Sequence, residues 1–284
     1  MKCPVCNHEV VQYTTAVNYY SIMSNKCNLM YCKNCVCFFK DGVENNFEVK
    51  NNFEIDFKYR GINTYNNPLK FALGYSQRSN FLRYIHDFAI KNINTNFEIQ
   101  SWLDYGSGMG YLLLHIKEFY KEVVGIEIAE EGRDICKKNS IITFQTLSDL
   151  PDDKKFDVIS SIDSFYYTLK PIELIDSFKK ILNNDGYVIV RVSLRTWLIR
   201  LNKLFKKMPD DSLRDHFINY SYNSVVKLFS DNGFEKVNYT FKENGKSYYK
   251  QSILFVNYII RLVYFVSFGL LNFHTGVTIV FKKK

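Results

Sequence analysis

Short, continuously apolar runs alternate along this chain with longer segments of mixed polarity. Trp102-Leu103, Val123-Val124-Gly125-Ile126, Phe156-Asp157-Val158-Ile159 and Tyr187-Val188-Ile189-Val190 read as buried strands, since strands covered on both faces need not alternate in polarity. The intervening periodicity predicts helices over Tyr75 to Asn92, Tyr111 to Tyr120, Thr196 to Lys207 and Tyr222 to Asp231. Gly276-Val277-Thr278-Ile279-Val280-Phe281 reads as a last strand. Residues 253 to 271 are apolar enough to raise the question of a membrane span. Arg261 at the midpoint and Asn257 one turn earlier argue against it, because polar groups are costly in hydrocarbon. A helical insertion over about 251–272, covering a pocket or lying on a membrane face, fits better.

The most informative turn joins the first predicted strand to its helix. It reads Leu103-Asp104-Tyr105-Gly106-Ser107-Gly108-Met109-Gly110, and Glu127 follows 17 residues after Gly110. Glycines permit a tight turn and close backbone approach to a ligand. The dinucleotide fingerprint would need Gly or Ala where this chain has Tyr111. Asp104, two residues before the first glycine, would repel a pyrophosphate but suits a ligand carrying ammonium and sulfonium charge. Glu127, ending the second strand, can accept hydrogen bonds from both hydroxyls of a ribose.

These residues resemble the cofactor site of the class I S-adenosylmethionine-dependent methyltransferases. The resemblance runs through roughly residues 70 to 284, with Phe156 to Asp163 looking like that family's fourth strand and Leu182 to Val190 like the turn into its fifth. It implies a doubly wound, mostly parallel, seven-stranded α/β sheet with an antiparallel last strand. It also implies S-adenosylmethionine as cofactor, held by Asp104, Gly106, Gly108, Gly110 and Glu127. Asp149, in Leu147-Ser148-Asp149-Leu150-Pro151, falls where the family lines its adenine pocket.

Ahead of this domain, Cys3-Pro4-Val5-Cys6 and Cys32-Lys33-Asn34-Cys35 form two C-x-x-C knuckles with 25 residues between them. Four thiolates so spaced can satisfy a tetrahedral zinc ion, and about 40 residues could not otherwise bury enough core to stay folded. Disulfides are the competing reading. The odd count of seven cysteines, the lack of an apolar signal segment after Met1 and a reducing cytoplasm favour metal. Cys27, Cys37 and, more remotely, His8 compete as ligands, while Cys136 reads as a small buried hydrophobe. The organisation is therefore a zinc ribbon over 1–40, a connector over 41–68 and the methyltransferase-like domain over 69–284.

Length and composition agree, since 284 residues with 46% hydrophobic content suit one α/β domain plus a small module and exclude a disordered chain. The net charge of +8 admits an acidic partner, such as a nucleotide-linked substrate, RNA or a membrane surface, without choosing among them. Where many relatives carry an acidic-His pair after the fourth strand, this chain has Phe165-Tyr166-Tyr167. The candidate base is instead His216, ahead of the helix starting at Tyr222, with Asp163, Tyr166 and Tyr167 behind it. A cysteine ribbon before a compact methyltransferase domain resembles enzymes that modify saccharide or natural-product building blocks, which points to a sugar or sugar-nucleotide hydroxyl as acceptor. A ribosomal RNA base is the first alternative, although neither C-x-x-x-H in the second knuckle nor an Asn-Pro-Pro-Tyr-type motif is present. A non-catalytic cofactor- or partner-binding protein is the second.

Overall fold

The computed structural model describes residues 1–17, 26–41, 68–94, 96–168, 170–204, 216–241, 258–260, 262–263, 265–267 and 274–284. The expected connector, the end of the helix beyond 204 and most of the helical insertion lie outside the described residues.

Two sheets form. The larger has seven strands: β4 (Ser101–Tyr105), β5 (Glu122–Ile126), β6 (Ile142–Phe144), β7 (Phe156–Ile162), β8 (Leu182–Ser193), β10 (Phe234–Thr240) and β11 (Gly276–Lys283), in the order β10-β11-β8-β7-β4-β5-β6. Strands β6, β5, β4, β7 and β8 run parallel. β11 is antiparallel to β8, and β10 to β11. This is the doubly wound, seven-stranded arrangement that the family resemblance implies. The chain winds from β4 out to β6, returns to β7 and continues the other way, so β4 and β7 flank the switch point where such sheets open a crevice. All seven residues of β7 are buried, and its polar members Asp157, Ser160 and Ser161 are each hydrogen-bonded.

Helices cover both faces. α1 (Pro68–Asn92) and α2 (Tyr111–Ile116) bury Leu82, Ile85, Ala89, Leu112 and Leu113 against Trp102 and Ile189. α3 (Glu130–Lys138) starts with Glu130 and Glu131 and ends with Lys137 and Lys138, charges that complement the helix dipole. α4 (Pro171–Ile181), with proline in its first turn, and α6 (Tyr222–Asp231), capped by Ser221, bury Leu174, Ile175, Phe178, Leu228 and Phe229. α5 (Thr196–Leu204) follows β8.

The smaller sheet joins β1 (Val11–Val17), β2 (Lys26–Cys32) and β3 (Cys37–Asp41) to β9, the two residues Ile218–Asn219. Its fourth strand therefore comes from deep within the second part of the chain, although the sequence reads as a ribbon complete by residue 40. The apolar core is likewise continuous across the junction, since Cys3, Val5, Cys32, Cys35, Cys37 and Phe39 share one cluster with Ile218, Tyr220 and Val225.

A buried carboxylate staples the bottom of the sheet. Asp157 accepts hydrogen bonds from the Gln100 and Ser101 amides at 2.8 and 3.0 Å, from the Ser101 hydroxyl at 3.0 Å and from Asn183 at 2.8 Å. Burial opposes its charge, but these donors more than offset that and hold its pKa below the ordinary value. Asp157→Ala should orphan several of those donors and lower stability by about 2–3 kcal/mol, read from the urea midpoint, whereas Asp157→Asn should lose less. Equal midpoints for Asp157→Ala and the native chain would show that water replaces the carboxylate without loss.

Candidate active site

The loop after β4 is shaped by its glycines. Gly106, Gly108 and Gly110 have φ of 76°, 56° and 74°, a left-handed region that other residues enter at a cost. The amides of Gly106 and Ser107 both donate to the Ile126 carbonyl, at 2.8 and 3.0 Å, fastening the loop to the end of β5. A Cβ on Gly106 would stand 2.3 Å from the Cβ of Ser164, and one on Gly110 would stand 2.8 Å from the Sγ of the fully buried Cys136. Gly108 differs, because a Cβ there would meet nothing within 4 Å. Its exposed edge is where a ligand can approach the backbone.

Two carboxylates border that edge. Asp104 is 4% exposed and lies beside Ser160 in the β4–β7 register. The Trp102 indole donates to the Ser160 hydroxyl at 2.8 Å, and that hydroxyl donates to Asp104 at 2.6 Å. Burial pushes the Asp104 carboxyl up to about 7; the Ser160 hydrogen bond opposes this and the charge of Glu127 adds to it. Glu127 accepts from the Gly108 amide at 2.7 Å and the Ala129 amide at 2.9 Å, so one side chain aligns the glycine loop with the start of α3. Burial raises its pKa also. Arg133 donates to the carbonyls of Glu127 and Ile128 at 2.8 and 2.7 Å, holding that turn from outside. Ser160 and Arg133 carry no motif of their own; strand pairing reveals the first and the turn after β5 the second.

Asp149 sits in a 3₁₀ turn over Leu147–Asp149. Its carboxylate accepts from the Thr146 amide and hydroxyl at 2.8 and 2.9 Å, shaping the loop beyond β6.

The remaining candidates gather beyond β7. Asp163, at φ 59°, is ion-paired with Arg191 and lies 3.4 Å from Arg78 of α1. Tyr166 and Tyr167 occupy a 3₁₀ turn over Phe165–Tyr167. The His216 ring stacks on Tyr166 with centroids 3.6 Å apart and meets Tyr167 edge-on at 6.1 Å. The structure thus brings together Tyr166, Tyr167 and His216, which lie some fifty residues apart in sequence. His216 is 2% exposed, and its pKa is lowered to about 3, first by burial and then by Arg195, Lys40 and Arg191; Asn219 opposes them. Among the described residues no partner meets its Nδ1 with hydrogen-bond geometry. Burial lifts the Tyr166 phenol well above its ordinary range, so it remains protonated.

At the far end of the chain's second core layer, the sulfurs of Cys3, Cys6, Cys32 and Cys35 all lie within 4.8 Å of one another. Cys3 and Cys35 are 3.6 Å apart and Cys6 and Cys32 3.5 Å, close to the roughly 3.8 Å edge of a tetrahedron with 2.3 Å zinc–sulfur bonds. Hydrogen bonds from Cys35 and Cys37 favour the thiolate of Cys3, and the same contact pushes Cys35 up. The cluster cannot hold four thiolates without a compensating cation. Cys37 is fully buried 3.3 Å from Cys35 and 3.6 Å from Cys3, outside the set of four. Cys27 lies in a separate apolar cluster, and His8 bonds the Cys6 carbonyl, so neither joins the set.

A glycine loop and two buried carboxylates at the switch point of a seven-stranded sheet define a class I S-adenosylmethionine-dependent methyltransferase. The model of the methyltransferase-domain family matches residues 75–239, more than half of the chain, and the chain belongs to that family. No curated protein matches the sequence. Among solved structures, magnesium protoporphyrin IX methyltransferase from Synechocystis PCC 6803, with bound S-adenosylhomocysteine, superposes at a TM-score of 0.54 and 13% identity, over 83% of this chain and 100% of that one. The methyltransferase partner of the Trm112 activator from Haloferax volcanii gives 0.53 and 15%, over 74% and 93%. An S-adenosylmethionine-dependent methyltransferase from Clostridium acetobutylicum gives 0.51 and 14%, over 75% and 98%. At these identities the likeness is one of fold.

Two measurements check the cofactor site. Glu127→Ala should cost at least ~1 kcal/mol of S-adenosylmethionine affinity by calorimetry, and Gly108→Val should block the approach to the loop; undiminished binding in both would reject the assignment. Asp104 is protonated below about 7, and a cationic ligand favours its ionised form. Affinity should therefore rise between about pH 6 and 7.5, by up to ~10-fold per unit on the acid side, and Asp104→Asn should flatten the profile. A pH-independent affinity in the native protein would show that Asp104 is already ionised without ligand.

Proposed function

We propose that the protein transfers the methyl group of S-adenosylmethionine to a hydroxyl of a sugar, sugar nucleotide or related small metabolite. The observation that carries this reading is His216, a buried imidazole with an unpartnered Nδ1 beside the end of β7. Among the four candidate bases, Asp163 is neutralised by arginines and Tyr166 stays protonated, while its neighbour Tyr167 packs edge-on against the His216 ring. His216 alone combines a neutral side chain with a free lone-pair nitrogen, in whichever tautomer leaves Nδ1 bare.

On the cofactor side, Asp104 would hold the ammonium and Glu127 the ribose hydroxyls, Gly106, Gly108 and Gly110 would let the ligand approach the backbone, and Asp149 would lie on the adenine side. When bound, S-adenosylmethionine supplies a methyl group on a positively charged sulfur. Transfer is an in-line displacement: the oxygen–carbon bond forms as the sulfur–carbon bond breaks, and the hydroxyl proton passes to His216. Burial and the neighbouring cations hold the free imidazole near pKa 3, neutral but weakly basic, so the role given to it requires that the bound acceptor raise its basicity. Tyr166 and Tyr167 form the aromatic wall of the acceptor side and Asp163 orders its two arginines.

A structural zinc ion on Cys3, Cys6, Cys32 and Cys35 completes the proposal, and a reducing compartment such as the cytoplasm keeps those thiols available. No described helix is long and apolar enough to cross a membrane. Tyr258, Leu262 and Phe265, exposed by 67%, 49% and 79% on the helix near 258–267, leave a peripheral membrane contact open.

Labelled S-adenosylmethionine offered with sugar nucleotides, RNA and small metabolites tests the acceptor class directly. The saccharide reading requires label in a sugar hydroxyl. Label in RNA alone would replace it with the base-methylating alternative, and binding without turnover would favour a non-catalytic role. On the accepted substrate, His216→Ala should slow turnover by ~100-fold or more at unchanged cofactor affinity; a normal rate makes His216 structural.

A further inference from the structure

The ribbon and the acceptor side of the active site meet along residues 216–221, and every one of these residues but Phe217 and Ile218 carries a polar side chain. Phe38 and Phe39 of β3 pair with Asn219 and Ile218 of β9. The Lys40 amide donates to the Phe217 carbonyl at 3.0 Å, and the Phe217 amide donates to the Tyr166 carbonyl at 3.1 Å. The same backbone segment therefore bonds the ribbon on one side and the Tyr166 turn on the other.

Two side chains reach from this segment to the cysteine cluster. The Ser221 hydroxyl accepts from the Ser224 amide at 3.1 Å, capping α6, and donates to the Cys35 carbonyl at 3.0 Å. Tyr220 is fully buried, packs on Phe165 at 5.6 Å between centroids, and has a hydroxyl that no described residue hydrogen-bonds. It shares one buried cluster with Cys3, Cys35 and Cys37, and burial first, then those sulfurs, raises its phenol pKa. A buried phenol lacking an acceptor is destabilising, and a neutral thiol is a poor acceptor. A metal-bound thiolate is a good one. Outer-sphere donors of this kind fix metal ligands and tune their charge.

We propose that the metal site is shared across the two sheets: Tyr220 and Ser221 of the methyltransferase domain form its outer sphere, and the metal-loaded ribbon in turn fixes β9 and the acceptor-site residues His216 and Asn219. The inference rests on the zinc reading of the four cysteines. Asn219 shows what is at stake at the other end of the segment, since it is completely buried and acts on the His216 ring, opposing the fall in its pKa. Holding such a side chain in place needs a rigid support on the ribbon side.

The test uses the full chain, zinc-loaded and after treatment with a chelator, with metal analysis of both samples. Removal of zinc should speed amide hydrogen exchange at residues 217–221 by at least ~10-fold, through local opening, while the S-adenosylmethionine dissociation constant changes less than ~3-fold. Unchanged exchange in protein shown to have lost zinc overturns the coupling, and so does collapse of cofactor affinity, which would mean that the metal supports the whole domain. Untreated protein without zinc rejects the ribbon reading instead. Tyr220→Phe retains the ring and removes only the hydroxyl. It should hasten zinc transfer to a chromogenic chelator by ~10- to 100-fold, and an unaltered rate overturns the role given to Tyr220.

Discussion

Two carboxylates, Asp104 and Glu127, end neighbouring strands of the sheet with almost no water to solvate them. Burial raises the pKa of both, and the charge of Glu127 adds to the rise at Asp104. The loop geometry follows from that tension. Glu127 is held by amides of the glycine loop and of the helix start, and Asp104 by a hydroxyl that the Trp102 indole orients. The cations that act on the pair, Arg78 and Arg133, offset burial only in part.

The acceptor side has the opposite balance. Arg191, Arg195 and Lys40 surround His216, and the carboxylate of Asp163 is taken by Arg191 and Arg78. Negative charge is thus concentrated at the glycine loop and positive charge around His216. Arg191 also lies over the Phe81 ring at 5.1 Å, so α1 helps to fix the boundary between the two halves.

Much of this was legible in the residue order. The parallel strands announce themselves through unbroken apolar runs, and the turn from Asp104 to Gly110 with Glu127 marks the crevice. α6 has the predicted bounds, Tyr222–Asp231, because Ser221 caps it and its apolar spacing is regular. Less could be read where partners are distant. Ser160 looks like an ordinary strand residue until β7 is laid against β4, and Arg133 like an ordinary helix residue until α3 folds back on the turn after β5. Asp163 reads as a candidate base because its arginines, at positions 78 and 191, are far from it in sequence. β9 has two residues, too few for any polarity pattern, so the ribbon looked self-sufficient.

That two-residue strand also orders events during synthesis. The Ser221–Cys35 contact spans 186 residues, which a ribosome adding about 5–20 residues per second needs roughly 10 to 40 seconds to complete. Throughout that interval β3 has an open backbone edge, with Phe38 and Phe39 awaiting the strand that will cover them. Early capture of a metal ion by the four cysteines would hold the hairpin in shape until its partner emerges, making the ion a folding chaperone for the nascent chain before it serves the finished one.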